Sequence, residues 1–286
     1  MRKAAFCPGH ITGFFEICRS RDPLSTGSRG AGLCLTLGAT SEVGVSTSSR
    51  HSIDVSVNGR PLEAPVTKHA LGLLANRKKL RITVATVLDL PVSQGFGMSA
   101  AGSLSASIAL AEILSLSRQE AFEAAHIAEI EEGGGLGDVS ALHKGGITVR
   151  KKAGLPPVGK VMRIDGEPEV VLCVVGRRML TKSILSNPSK AKKINASGSK
   201  KVSELVKRPS IYRFMELSAQ FSVESGLASR RIQGAMNAAS KLGMASMSML
   251  GNSVFAIGDN SGLVQVLSDF GDTYACRVDT RGPRLL

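Results

Sequence analysis

Ser99, Glu129 and Asp138 are three oxygen-bearing side chains, set in glycine or small-residue segments, whose order and spacing suit a single chemical task. Ser99 follows Pro91 and the turn Gly95-Phe96-Gly97-Met98, and Ala100 opens a run of small residues behind it. Glycines at such a turn let backbone N–H groups reach a ligand that side chains would hold off. A helix beginning there adds unpaired N–H donors and the positive end of its dipole. Together they make a cradle for phosphate, and Ser99 can offer a hydroxyl oxygen to a bound metal. A magnesium ion takes an octahedron of hard oxygens, usually shared with nucleotide phosphates, so a serine and one carboxylate suffice from the protein. Glu129 is the candidate carboxylate; Glu132 lies on the same helical face and competes for the role, whereas Glu131 points elsewhere. Asp138, just past Gly133-Gly134-Gly135-Leu136-Gly137, could accept a hydrogen bond from an attacking hydroxyl. The glycine turn alone also reads as a tight connection with close packing and no ligand.

The elements that must position these residues follow from local pattern. An apolar strand at Arg81–Leu88 leads to the glycine turn, and a helix opens at Ser99. Ser117 and Glu120 form a capping box for a helix reaching about Glu131. Asp138–His143 makes a short helical turn, and Gly145-Gly146 leads into a strand at Ile147–Arg150. Upstream, Ala4–Cys7 reads as a short strand running into the turn-rich loop Pro8–Gly13. The glycine-rich Gly27-Ser28-Arg29-Gly30-Ala31-Gly32 precedes a strand at Leu33–Leu37. Ser52–Val57 with Asn58-Gly59 is a strand and hairpin turn, and Val66–Asn76 a helix. Gly154-Leu155-Pro156-Pro157 marks a domain boundary. Beyond it come strands at Glu169–Val175, Val254–Ile257 and Thr273–Val278, and helices at Pro209–Glu224, Ser229–Leu242 and Ser261–Phe270. The basic stretch Lys182–Arg208, with its lysines among Ser, Asn and Gly, reads as a solvated, mobile surface, or else as an attractor of an anionic substrate or nucleotide.

The composition bounds the alternatives. A chain of 286 residues with 43% hydrophobic content has ample length for one large or two packed domains. No apolar run approaches the roughly 18 residues of a membrane span, so no membrane partner is expected. Five scattered cysteines without metal-ligand spacing suit reduced thiols in a cytoplasmic protein. The net charge of +13 would suit nucleic acid, but aromatics are only 4% with no Trp, too few for a base-stacking platform, so no nucleic-acid partner is expected either.

With these residues in hand, the chain resembles the GHMP kinases, whose phosphate loop runs proline, three residues, then glycine-x-glycine-x-serine-alanine. Pro91, Gly95, Gly97, Ser99 and Ala100 match it, with Phe96 and Met98 in place of the leucine and first serine common there. The downstream pattern is met by Ala128-Glu129, Gly135–Gly137, Asp138 and Gly145-Gly146, seven residues on from the aspartate. The third family motif is reduced to Leu250-Gly251-Asn252-Ser253, and the N-terminal lysine of mevalonate kinase has no evident counterpart. The segments Pro8–Phe15 and Gly27–Gly32 make the chain similar to the archaeal pantoate kinase branch, a resemblance that covers nearly the whole chain. It implies an α+β protein of two domains: an N-terminal mixed α/β nucleotide-binding domain, 1–154, and a C-terminal ferredoxin-like α+β domain, 155–286. It further implies ATP and Mg2+, with the phosphates on Pro91 and Gly95–Ala100. Ser99 and Glu129 would hold the metal and Asp138 would address the acceptor hydroxyl. Pantoate is the implied small-molecule substrate, with Ser28, His126, Arg150 and Thr181 on its side, and a homodimer is the family expectation. Arg150 could give a two-pronged contact to a carboxylate, and His126 shares a helical face with Glu129. His126 also reads as a satisfied half-buried histidine, Arg150 as a surface charge, and Ser28 and Thr181 as turn hydroxyls. His10, in the first glycine loop, reads equally as a substrate contact or a turn cap.

Three rival classes fit less well. The turn satisfies the glycine-x-glycine-x-x-alanine of dinucleotide-binding oxidoreductases, but that fingerprint follows a first strand, whereas hairpin signals precede this one. Ser99, Asp138 and His143 have the chain order of a serine hydrolase triad, but Ala101 replaces the glycine that the nucleophile elbow needs. A non-catalytic RNA binder explains the charge and leaves the glycine-serine-carboxylate set without a role.

Overall fold

The computed structural model describes residues 1–76, 78–179 and 184–286. Its first strand, β1 (Arg2–Cys18), runs straight through the predicted loop at Pro8–Gly13, and β2 (Gly27–Thr47) runs through the glycine-rich stretch after it. The two pair antiparallel along nearly their whole length. Register shifts between Pro8 and Gly9 and between Thr12 and Phe14 show what the glycine and proline signals encode: bulges inside a long strand, not its end.

Around this ribbon the sheet grows to β3 (Ser52–Val57), β4 (Arg60–Pro61), β5 (Leu80–Leu88), β6 (Ile147–Lys152), β7 (Lys160–Ile164) and the terminal β12 (Arg284–Leu285). Its order is β12-β1-β2-β5-β3-β4; β6 joins the first half of β2 and β7 joins β6. Only β3 and β5 run parallel among the described pairs. The Gly154–Pro157 stretch is therefore the connection of the β6–β7 hairpin, and β7 and β12 belong to the same sheet as β1.

Helices α1 (Pro65–Ala75), α2 (Met98–Leu114) and α3 (Arg118–Glu131) cover one face of this sheet. In α2, 14 of 17 residues are buried, which is why it carries small residues on every side rather than an apolar stripe. Its buried hydroxyls satisfy one another across the sheet: Ser41 Oγ lies 2.7 Å from Ser105 Oγ and 2.8 Å from Thr86 Oγ1. The capping box of α3 is formed, Ser117 Oγ accepting from the Glu120 N–H and the Glu120 side chain from the Ser117 N–H. Short α4 (Asp138–Leu142) precedes β6.

The second sheet, β11-β8-β10-β9, is antiparallel throughout, from β8 (Glu169–Val174), β9 (Gly243–Met247), β10 (Ser253–Gly258) and β11 (Asp272–Arg277). Helix α5 (Pro188–Lys207) packs on β1 and β2 of the first sheet and on α6 (Ile211–Glu224), while α6, α7 (Arg230–Ala239) and α8 (Asn260–Ser268) pack on the second sheet. The basic stretch expected to be a mobile surface is thus mostly helix. Asn187 caps it by accepting from the Lys190 N–H at 3.0 Å, and Ile194, Val202 and Leu205 are buried on one face. Lys201 is buried on that face too, its ammonium donating to Glu224 at 2.7 Å. Its neighbours in sequence stay in water and carry the charge.

The distal half of β1 ties the two units together. Phe14 packs against Phe214 and Phe221 of α6 at centroid distances of 6.2 and 6.5 Å, and Phe214 meets Phe255 of β10 at 6.0 Å. One apolar core runs across both sheets. No helix among the described residues is long and apolar enough to cross a membrane.

Candidate active site

A cleft of about 620 Å3 opens where β1, the glycine loop, the 133–137 segment and the 248–250 turn converge. Gly95, Phe96, Gly97, Met98, Ser99 and Ala100 line one side, and Glu129, Gly133–Gly137 and Asp138 the other. Ser99, Glu129 and Asp138 thus share one cavity. Ser28 lines it as well; Pro91 stands outside the lining, at the entry to the loop.

The loop is built for close approach. Gly97 precedes α2 with φ +65°, and a Cβ there would lie 3.0 Å from the carbonyl oxygen of His10, so glycine meets both the conformation and the space. No side chain caps α2, which leaves its first N–H groups facing the cleft behind Ser99. The two departures from the common motif, Phe96 and Met98, are buried beneath the loop. Behind it, Gln94 donates to Gly176 O at 3.0 Å, and Ser253 donates to Gln94 O. The short Leu250–Ser253 motif therefore fastens the loop to the second sheet.

Two carboxylates face the loop. Glu129, near the end of α3, is buried, and its Oε2 has no hydrogen-bond partner among the described residues. Asp138 stands at the first turn of α4, three-quarters buried. Gly135 lies between them: a Cβ there would sit 2.4 Å from Glu129 Oε1 and 3.3 Å from Asp138 Oδ2. Burial pushes the Glu129 carboxyl well above its ordinary range, and the Asp138 charge adds to this; a hydrogen bond from the Val139 N–H and the Arg150 charge oppose it. A buried acceptor without a donor, beside a second carboxylate, is a place that a hard cation fits. Among the described residues no cluster of three or more His, Cys, Asp or Glu forms a metal cage, so any ion there would take other ligands from its substrate.

That raised carboxyl makes a prediction about stability. The unfolded side chain titrates near about 4.3, while the native state keeps its proton to higher pH and so binds more protons across that window. Stability falls as pH climbs through it. In divalent-free buffer, the melting temperature of Glu129→Gln minus that of the wild type is therefore expected to grow from pH 5 to pH 8. A flat difference in a pH series of thermal melts would contradict it.

Arg150 of β6 lies directly behind the lining, its side chain wholly buried. Nη2 donates to Thr12 Oγ1 at 3.3 Å, while Nε and Nη1 have no partner among the described residues. Gly137 stands over it: a Cβ there would be 2.3 Å from Ser28 Oγ and 2.8 Å from Arg150 Nε. The reading of Arg150 as a surface charge is thus corrected. Register explains it, because Arg150 pairs with Gly30 on a strand buried on both sides until Lys151. Burial lowers its pKa, opposed by Asp138 and Glu129.

His126 is not in the lining. Its Nε2 lies 3.1 Å from Thr26 O and 3.2 Å from Pro23 O, so it pins the segment leading to Ser28, and burial lowers its pKa. Sharing a helical face with Glu129 did not bring it to the cavity. Thr181 lies outside the described residues. His143 packs edge-on against Phe122 at 5.0 Å, away from the cleft, so the hydrolase triad is not assembled. Glu132 does line the cleft, but its carboxylate is 2.9 Å from His69 Nδ1. Asp138 is not a free aspartate: His10 Nδ1 lies 2.7 Å from its Oδ1. Thr12, which lines the cleft and meets Arg150, drew no attention in the sequence. Its signal was the two-residue spacing from His10, which puts both on one face of a strand once that segment is read as strand rather than loop.

Residues 66–146, from α1 through the glycine loop to the double glycine, match the family model for the GHMP kinases N terminal domain, the class of ATP-dependent phosphotransferase that this fold and cleft define. The chain is 34% identical over 273 residues to the pantoate kinase of Methanocaldococcus jannaschii, covering 96% of this chain and 99% of that protein. It is 35% identical over 261 residues to the pantoate kinase of Thermococcus kodakarensis, with 88% and 86% covered. A solved phosphotransferase related to the CoA biosynthesis pathway superposes with a TM-score of 0.91 at 32% identity, over 100% of this chain and 99% of that one. A homoserine kinase from Cytophaga hutchinsonii shares the fold at a TM-score of 0.71 and 16% identity, covering 100% and 97%. The chain belongs to the family of these pantoate kinases, within the GHMP kinases.

Proposed function

We propose that the protein transfers the γ-phosphoryl group of ATP to the primary hydroxyl of pantoate, giving 4-phosphopantoate on the way to coenzyme A. The observation that carries the acceptor is the pairing, at one cleft, of a carboxylate facing the glycine loop with a guanidinium buried directly behind the lining, two of whose nitrogens have no partner among the described residues. A hydroxy acid has one group for each. Arg150 and Ser28 take the carboxylate end, with Thr12 holding the guanidinium between them. Asp138 takes the hydroxyl end, and His126 supports Ser28 from behind. Thr181 keeps the substrate-side role that the family resemblance gives it. Five free thiols support a cytoplasmic setting.

The N–H groups of the loop and of the start of α2 bind the triphosphate. Ser99 and Glu129 would hold a magnesium ion, whose charge would neutralise that building up on the phosphate oxygens. Transfer passes through a loose transition state, so holding the acceptor in line supplies most of the acceleration. The acceptor oxygen bonds to the γ-phosphorus as the bond to ADP breaks. A carboxylate is a weak base toward an alcohol, so Asp138 first aims the hydroxyl and takes its proton late.

An ADP-release assay over pantoate, homoserine, mevalonate and shikimate tests the reading. Pantoate is expected to give a kcat/KM at least about tenfold above each of the others; a different preferred acceptor overturns it. In the same preparation, Mg-ATP at about a hundred times its Kd is expected to raise the melting temperature by on the order of 5 °C.

A further inference from the structure

His10 touches both halves of the proposed chemistry. The bulges of β1 at Pro8/Gly9 and Thr12/Phe14 bracket the regular stretch Gly9–Thr12, in which His10 and Thr12, two apart, share one side of the strand. Thr12 meets Arg150 there; His10 meets Asp138. Through its main chain His10 also holds the glycine loop: its N–H donates to Phe96 O at 2.9 Å, and its carbonyl oxygen lies 3.0 Å from where a Cβ on Gly97 would stand.

The chemistry of the pair is settled by burial. The imidazole is inaccessible to water, which lowers its pKa despite the opposing pull of Asp138. A neutral ring beside a carboxylate carries its proton on the nitrogen that faces it, here Nδ1. Nε2 then points a lone pair at the backbone of β2 near Gly32 and has no partner among the described residues. The hydrogen bond occupies Oδ1 of Asp138 and leaves the carboxylate its negative charge. Oδ2, on the Gly135 side, stays open to a hydroxyl.

We propose that His10 is the positioning residue of the transfer step: its imidazole sets the orientation of the Asp138 carboxylate while its main chain sets the loop that receives the phosphates. Base and phosphoryl donor are thereby kept in register by one strand residue. The inference rests on the role proposed for Asp138 above.

His10→Asn and His10→Gln test it, since both are polar and uncharged. The Asn amide nitrogen falls where Nδ1 was; that of Gln falls where Nε2 was, aimed away from Asp138. His10→Asn is expected to keep kcat within about fivefold of the wild type and His10→Gln to lose about thirtyfold or more, with KM for ATP and pantoate within about threefold in both. In an Asp138→Asn background the Gln penalty is expected to shrink to less than about threefold, because the two residues act as one unit. Circular dichroism and melting temperature check that the variants fold. A role confined to folding would lower the melting temperature without ranking Asn above Gln in kcat. The proposal is overturned if Gln equals Asn, if the loss lies in KM, or if the Gln penalty persists in full without the Asp138 carboxylate. Wild-type protein inactive toward pantoate would instead overturn the acceptor assignment, and the ranking is then read with whichever of the four acceptors it phosphorylates; activity with none overturns both.

Discussion

Asp138→Asn is expected to lower kcat by on the order of a hundredfold to ten-thousandfold while KM for ATP stays within about threefold. The substitution is nearly isosteric, and the Asn carbonyl oxygen can still accept from His10 Nδ1, so the geometry of the pair survives. What is lost is the charge that aims the acceptor hydroxyl and the site that takes its proton. A hundredfold corresponds to about 2.7 kcal/mol of transition-state stabilisation, within reach of one positioned base. Steady-state ADP release with pantoate, beside ATP binding followed by thermal shift, measures both quantities. Turnover within a few-fold of the wild type would remove Asp138 from the reaction.

Arg150→Met carries the second large effect, in the other kinetic parameter. A buried guanidinium lacking partners at Nε and Nη1 has donors left for an anion. Hydrogen bonds to charged groups contribute about 1.5–3 kcal/mol each, so KM for pantoate is expected to rise by on the order of a hundredfold, with KM for ATP little changed. Arg150→Lys should recover only part of the loss, because an ammonium cannot reproduce the guanidinium's planar set of donors. An uncharged amide analogue of pantoate adds a readout that misfolding would not mimic. Wild-type protein should discriminate against it strongly, and the Met variant hardly at all. An unchanged KM for pantoate in Arg150→Met would dissociate the guanidinium from the substrate.

Much of the cleft was legible before any coordinates, and the legible part is local. The strand into Gly95-Phe96-Gly97, the helix behind it, and the Ser117–Glu120 capping box depend on hydrogen bonds and steric limits that act over three or four residues. Composition and spacing carry them directly. The same holds for Ser99, Glu129 and Asp138, each set beside a turn or helix end that its own neighbours specify. The β3 strand at Ser52–Val57 falls where alternation and the Asn58-Gly59 turn place it.

Elsewhere local signals were overridden. Pro8-Gly9 and the glycines of β2 read as loop because glycine and proline favour turns in isolation, yet two long antiparallel strands satisfy each other's backbone and absorb the irregularities as bulges. The basic segment 188–207 read as solvated because its lysines lie among Ser, Asn and Gly; a helix of 20 residues gathers Ile194, Val202 and Leu205 onto one face, and burial against β1 decides the matter. The strand at the C-terminus joins the first sheet through pairing with β1, a contact between residues some 280 positions apart that no local window contains.

The sequence alone determined that a glycine turn opening a helix at Ser99, and the carboxylates Glu129 and Asp138 beside helix ends and turns, are present, because those features rest on side-chain type and on short-range backbone geometry. Only the tertiary structure decided that Arg150 is buried behind Ser28 and Gly137, that His126 turns its imidazole toward Pro23 and Thr26, and that His10 reaches Asp138. Those outcomes depend on strand register and on which groups lose water together, and both are set by pairing between distant segments.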